Sequence, residues 1–309
     1  MNKMKIMNKM KMYDLIIIGT GPAGLTAGIY AARYNLNFLI IGELQGGAIS
    51  EAHKVCNYPS QNNISGFKLT QEIVEHVKEL NGEIVQEQVA KINKEKDFFK
   101  INTNKKEYFA KKIILSTGRK KNTLNVPGEK EFLGKGVSYC ATCDSAFYKD
   151  KIVAVVGGGN AAITAALLLA DYSKKVYIIY RKDSFFKAEP AWVTQLEKEK
   201  KIESIFNSKI KEIIGKDFVK GIILEDGKKF DLDGVFIEVG FSPDEILANE
   251  LGLKKEKGYI IAGKNQETNI KGIFAAGDCT NNSLKQVITA CAEGAIASTS
   301  VYEELKLGK

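Results

Sequence analysis

The chain has 309 residues, 44% of them hydrophobic and 27% charged, and its 45 basic against 37 acidic side chains give a formal net charge of +8. That length exceeds one comfortable core and points to two domains of ordinary size, while the composition excludes a disordered chain and no apolar run approaches a membrane span. The lysines are scattered over helix faces and loops with no dense tract, so the charge reads as a solvated basic surface and not as a nucleic-acid site.

All five methionines (Met1, Met4, Met7, Met10, Met12) fall at the start, interleaved with Lys and Asn. No uninterrupted apolar segment follows there, which argues against a signal peptide and leaves residues 1–12 as a disordered extension. Five cysteines, an odd number without an export signal, point to a reducing cytoplasm in which the only close pair is functional.

The first apolar run, Asp14–Ile18, leads into Gly19-Thr20-Gly21-Pro22-Ala23-Gly24 and then a helix-favouring stretch from Leu25 to Arg33. Strand, tight glycine turn and helix in that order form a nucleotide-binding fingerprint. Gly19 permits the turn, Gly21 lets backbone approach a pyrophosphate, and Gly24 lets helix and strand pack closely. A second strand, Phe38–Ile41, ends near Glu43, about where the acid that grips a ribose is expected. Lys112–Gly118 reads as a buried strand meeting a turn.

The same grammar returns at Ile152–Val156, followed by Gly157-Gly158-Gly159-Asn160-Ala161-Ala162, a helix to Ala170 and a strand Val176–Tyr180. A whole nucleotide-binding unit is therefore repeated. Val235–Gly240 is the counterpart of the Lys112–Gly118 strand, Gly272–Asp278 gives one more buried strand, and a helix from Lys285 to about Leu305 ends the chain. The fold class is α/β: two Rossmann-like three-layer domains, the second inserted in the first. The discontinuous outer domain comprises 13–119 and 248–309, and the inner one 120–247.

Fourteen residues before Gly157, Cys140-Ala141-Thr142-Cys143 ends in Cys143, followed by Asp144. Two thiols one turn apart can close into a disulfide and accept two electrons, and the adjacent phosphate loops suggest flavin and nicotinamide as their source. The competing reading is half of a zinc site. Zinc needs four ligands, whereas Cys56, Cys279 and Cys291 are isolated and neither His53 nor His76 has a second C-x-x-C nearby, so no metal site is expected. Asp144 offers a carboxyl group that could shuttle a proton to or from a thiolate.

Taken in order, Gly19–Gly24, Gly46-Gly47, Asn57-Tyr58-Pro59, Ser116-Thr117-Gly118, Cys140–Asp144, Gly157–Ala162, Ala275–Asp278 and Lys285-Gln286 resemble the low-molecular-weight, bacterial-type thioredoxin reductases, from about Tyr13 to the C-terminus. The resemblance implies FAD in the outer domain, held by Gly19, Gly21, Pro22, Ala23, Gly24, Glu43, Gly46, Gly47, Asn57, Thr117, Gly118, Gly277 and Asp278, with Lys285, Gln286 and Val287 lining the flavin ring. It implies NADPH in the inner domain at Gly157, Gly159, Asn160, Ala161, Ala162, Arg181, Lys182 and Lys187. By the same resemblance Cys143 would face the flavin, Cys140 would attack the disulfide of thioredoxin or a thioredoxin-like protein, Asp144 would donate the proton, and the chain would be a homodimer.

Two departures bear on the electron donor. The run Tyr180-Arg181-Lys182-Asp183-Ser184-Phe185-Phe186-Lys187 keeps cations for a 2′-phosphate, but Lys lacks the fork of Arg and the last cation falls one residue late. The helix after Gly159 has Thr164 and Ala165 where such reductases tend to carry glutamates. A reductase of the same fold using ferredoxin or another donor, a flavin-dependent dithiol oxidase, and a non-enzymatic redox sensor are the alternatives.

Overall fold

A computed structural model describes residues 11–306. Of the expected N-terminal extension, residues 1–10 lie outside the described residues, while Met12 already opens the first strand, in register with Phe109. The described residues divide into two compact units, one formed by 11–50, 55–120 and 243–306, the other by 51–54 and 121–242.

The first unit begins with β1 (Met12–Ile18), α1 (Pro22–Arg33) and β2 (Phe38–Gly42), continues through α2 (Gly66–Glu79) and β3 (Glu83–Gln86), and ends its first pass with β4 (Val89–Lys94), β5 (Phe99–Thr103) and β6 (Glu107–Leu115). β1, β2, β3 and β6 run parallel, whereas β4 and β5 add antiparallel strands at one edge. Continuous apolar runs form the central strands because both faces are covered. Leu15 and Ile17 of β1 pack among the residues of α1 and the last helix of the chain, while Ile16 and Ile18 face a second cluster with Ile101 and Leu253.

In the second unit β7 (Val137–Ser138) and the one-turn α3 (Ala141–Asp144) precede β8 (Ile152–Val156), α4 (Asn160–Tyr172), β9 (Lys175–Ile179), α5 (Pro190–Lys198) and β10 (Ile202–Ile205). An antiparallel sheet of β11 (Ile210–Gly215), β12 (Val219–Leu224) and β13 (Lys229–Asp231) follows, and then β14 (Gly234–Ile237). The main sheet is parallel throughout, in the order β10-β9-β8-β14-β7. Val153 and Val155 of β8 bury against α4 on one face, and Ala154 and Val156 against the antiparallel sheet on the other.

The chain returns to the first unit with β15 (Ile273–Ala275), parallel to β6, and α6 (Val287–Lys306), which packs along α1. α6 starts two residues later than the sequence suggests, because Lys285 and Gln286 belong to the preceding turn. Among the described residues no helix is long and apolar enough to cross a membrane.

Candidate functional site

The first glycine turn closes the parallel sheet at the ends of β1 and β6. Gly19 has φ of +120°, and a Cβ there would fall 2.1 Å from the Ser116 carbonyl, so only glycine fits. α1 then starts with Gly21 at its N-cap, no side chain capping it, and Pro22 in the first turn. Its open N-terminus offers unpaired N–H groups and the positive end of the helix dipole.

Thr20 Oγ1 donates to the Leu44 carbonyl at 2.7 Å, and the Gly46 N–H donates to the Thr20 carbonyl at 2.9 Å, folding Glu43–Gly47 over the turn. A Cβ on Gly47 would stand 2.9 Å from Gly21 Cα, which explains a glycine there. A Cβ on Gly21 would meet only Gly47 Cα at 3.9 Å, so the space beside this backbone is open and fits a diphosphate. Glu43 is exposed at the end of β2, its carbonyl accepting from Gln86 Nε2.

Pairing of β15 with β6 brings Gly277-Asp278 beside Thr117-Gly118, since Ala275 lies opposite Leu115 and the Ala276 N–H bonds the Leu115 carbonyl. Arg119 clamps Asp278 Oδ2 through Nε at 2.9 Å and Nη2 at 2.6 Å. Behind this turn the buried Glu293 accepts the Gly277 N–H at 2.7 Å, Thr280 Oγ1 at 3.0 Å and Asn282 Nδ2. Lys285 donates to the Thr280 carbonyl and lies 4.4 Å over the Tyr259 ring; burial holds its ammonium below the usual lysine range against the pull of Asp278 and Glu293. Asn57 Nδ2 donates to Gln286 Oε1 at 3.1 Å, and Val287 is the buried first residue of α6.

Cys279, adjoining this turn, is a small buried residue whose thiol burial pushes up to about 11, and Cys291 is likewise raised by burial. Cys56 is exposed. None of the three is paired with another cysteine among the described residues.

In the second unit Gly157 repeats the logic of Gly19: its φ is +144° and a Cβ would fall 2.1 Å from the Glu238 carbonyl. A Cβ on Gly158 would strike the Tyr180 ring, which stacks on Phe185 at 5.9 Å. Gly159 differs. Its φ is ordinary and nothing lies within 4 Å of its missing side chain, so the protein itself does not require glycine and a ligand backbone approaching here would.

Asn160 opens α4 and exchanges two hydrogen bonds with Glu189, Nδ2 to Oε1 at 2.9 Å and Glu189 N–H to Oδ1 at 2.7 Å. Ala161 and Ala162 complete the first turn, with Ala162 buried. The backbone of Lys187 bridges Gly159, while the side chains of Arg181, Lys182 and Lys187 are exposed.

Cys140 and Cys143 form a disulfide, with Cα atoms 5.3 Å apart. Cys140 caps α3: its Sγ accepts the Cys143 N–H at 3.2 Å, a bond that stabilises negative charge on this sulfur. Cys143 is exposed and Cys140 half-buried, as is Asp144, which, after partial burial itself, helps raise the half-buried Tyr148 phenol above its ordinary value. The residue before the pair is fixed from two sides, Tyr139 Oη donating to the buried Glu129 at 2.5 Å and the Tyr139 carbonyl accepting from Lys121.

Two glycine-turn dinucleotide cradles and a redox-closed cysteine pair define a nucleotide-dependent disulfide oxidoreductase. The chain belongs to the pyridine nucleotide-disulphide oxidoreductase family, whose model matches residues 13–294. It is 37% identical to the thioredoxin reductase of Bacillus subtilis (strain 168) over 97% of this chain and 98% of that one. It is also similar to the solved thioredoxin reductases of Lactococcus lactis (TM-score 0.90, 35% identity, 94% of this chain and 98% of that one) and T. acidophilum (TM-score 0.90, 35% identity, 96% and 99%).

Sequence reasoning missed Arg119, Glu293, Glu189 and Glu238. For the two acids within apolar runs a signal existed: Glu293 interrupts Ala290–Ala297 and Glu238 interrupts Val235–Val239, and an acid in such a run has to be partnered or used. Arg119 carried no such mark.

Proposed function

We propose that this protein is an FAD-dependent thioredoxin reductase that passes electrons from NADPH through the Cys140–Cys143 pair to the disulfide of thioredoxin or a thioredoxin-like protein. The observation that carries the reading is the disulfide on α3 in the same unit as a complete nucleotide turn. Bound flavin supplies the two-electron chemistry that a nicotinamide hydride and a dithiol both match.

The first unit holds the flavin nucleotide. The open start of α1 receives the diphosphate, Asp278 takes ribityl or ribose hydroxyls, and Asn57, Lys285, Gln286 and Val287 line the ring. Arg119 and Glu293 are positioning residues that orient the Asp278 turn. The second unit holds NADPH, its diphosphate against Gly159 and α4 and its 2′-phosphate met by Arg181, Lys182 and Lys187.

Once reduced, Cys140 is the nucleophile, its thiolate favoured by the Cys143 N–H, and it attacks the partner disulfide to form a mixed disulfide. Cys143 then attacks Cys140 and releases the dithiol, with Asp144 holding the proton that passes to the leaving sulfur. We propose that the protein works in the cytoplasm as a homodimer, on the family resemblance.

Anaerobic mixing of the purified protein with NADPH, NADH and reduced ferredoxin in turn tests the donor. Rapid bleaching of flavin by NADPH supports the proposal. Bleaching by reduced ferredoxin alone would replace NADPH as donor and leave the dithiol chemistry standing.

A further inference from the structure

Glu238 has no part in the reaction as described, yet it stands in the nucleotide crevice of the second unit. It follows the last residue of β14, its N–H bonds the Val156 carbonyl at 2.8 Å, and its own carbonyl packs against Gly157. Its side chain is part-buried, and no hydrogen bond reaches its carboxyl group from the described residues. Its charged neighbours are Lys121, which lies 2.5 Å from Glu51, and Glu51 itself. A part-buried acid that no hydrogen bond from the described residues satisfies costs stability, which makes a ligand contact the natural reason for keeping it.

The strand order says which part of a dinucleotide reaches this acid. β9 leads into Arg181 and Lys182, so the adenosine phosphate lies on that side, and the β8 turn takes the diphosphate. The remaining half must extend away from β9. It crosses the end of β14, the strand on the other side of β8, where Glu238 is the first residue beyond the sheet.

We infer that Glu238 receives the nicotinamide riboside half of the nucleotide, its carboxylate accepting a hydrogen bond from an O–H or N–H donor there. The inference rests on the pyridine-nucleotide reading above. Burial pushes the Glu238 carboxyl up to about 7, Glu51 adding to the rise and Lys121 opposing it. Only the ionised form is a full acceptor, so binding of this half should strengthen as pH rises through neutrality.

The test uses the flavin-loaded protein and two probes, NADP⁺ and 2′,5′-ADP, the second lacking the nicotinamide riboside. Calorimetric binding is measured at about pH 6 and about pH 8, and dividing one probe by the other removes titration of the shared phosphates. The wild type should gain up to about tenfold in this ratio at the higher pH, following ionisation of a group near neutrality. Glu238→Gln should lose about tenfold for NADP⁺ at the higher pH, little at the lower, and nothing for 2′,5′-ADP.

Glu238→Asp, which keeps the charge, should retain the pH dependence and covers the case in which the Gln variant folds poorly. Equal NADP⁺ binding by wild type and Glu238→Gln at both pH values overturns the inference, as does an equal loss for both probes. Wild-type protein that binds neither probe overturns the NADPH reading itself, a different failure.

Discussion

Glu293→Gln tests how the Asp278 turn is held. In the wild type Oε2 accepts the Gly277 N–H at 2.7 Å and Thr280 Oγ1 at 3.0 Å, while Oε1 accepts Asn282 Nδ2. The amide keeps the shape but has one acceptor oxygen and one donor nitrogen. If the oxygen faces Gly277, the new NH₂ confronts the Asn282 amide, which cannot turn without losing its bond to the Leu284 N–H. If the amide is reversed, the Gly277 N–H is left buried and unpaired. Either way one donor goes unsatisfied and the remaining bonds lose their charge assistance, a cost of about 3 kcal/mol. For a unit of this size that lowers the thermal midpoint by about 6–12 °C. The assay is thermal release of flavin fluorescence, with flavin retention on dilution as a second reading. A midpoint within about 2 °C of the wild type, with flavin fully retained, would refute the claim that this carboxylate organises the turn.

Gly157→Ala places a Cβ against the Glu238 carbonyl at a φ of +144°, so it should cost at least about 2 kcal/mol of stability and weaken NADP⁺ binding; thermal unfolding and calorimetry check both. Glu238 also makes a pH prediction. Its carboxyl is raised from 4.5 to about 7, so between those values the folded state binds more protons than the unfolded one and stability falls as pH rises through that window. Denaturant titrations should show a loss of order 2 kcal/mol from this group, absent in Glu238→Gln. Cys140→Ser should abolish thioredoxin reduction while NADPH still bleaches the flavin in stopped flow; loss of both reactions would mean the sulfur roles are misassigned. Arg181→Ala should raise the NADPH requirement about tenfold in steady-state assays and leave turnover with NADH unchanged.

Much of the scaffold was legible because its signals are local. Gly19 and Gly157 are dictated by the backbone of their own turns, and unbroken runs such as Ile152–Val156 mark strands covered on both faces. The Cys140–Cys143 spacing announces a closable pair. Residues that hold the site through distant contacts were not legible: Glu293 reaches back to Gly277, Arg119 grips Asp278 across 159 positions, and Glu51–Lys54 groups with the second unit. No periodicity encodes such pairings, since they depend on which strands the topology places side by side. Element ends also shifted by a residue or two, as for the strand expected at Val176–Tyr180 and found at Lys175–Ile179, because Tyr180 turns out to cover Gly158.

The central claim is that reducing equivalents from a nicotinamide donor reach the Cys140–Cys143 bridge by way of bound flavin. Thiol alkylation followed by mass spectrometry tests it most directly, comparing flavin-loaded protein, flavin-free protein and each with NADPH under anaerobic conditions. The account predicts that Cys140 and Cys143 take up label together, and only when flavin and NADPH are both present. Label that is absent in that sample, or equally present without flavin, would contradict it.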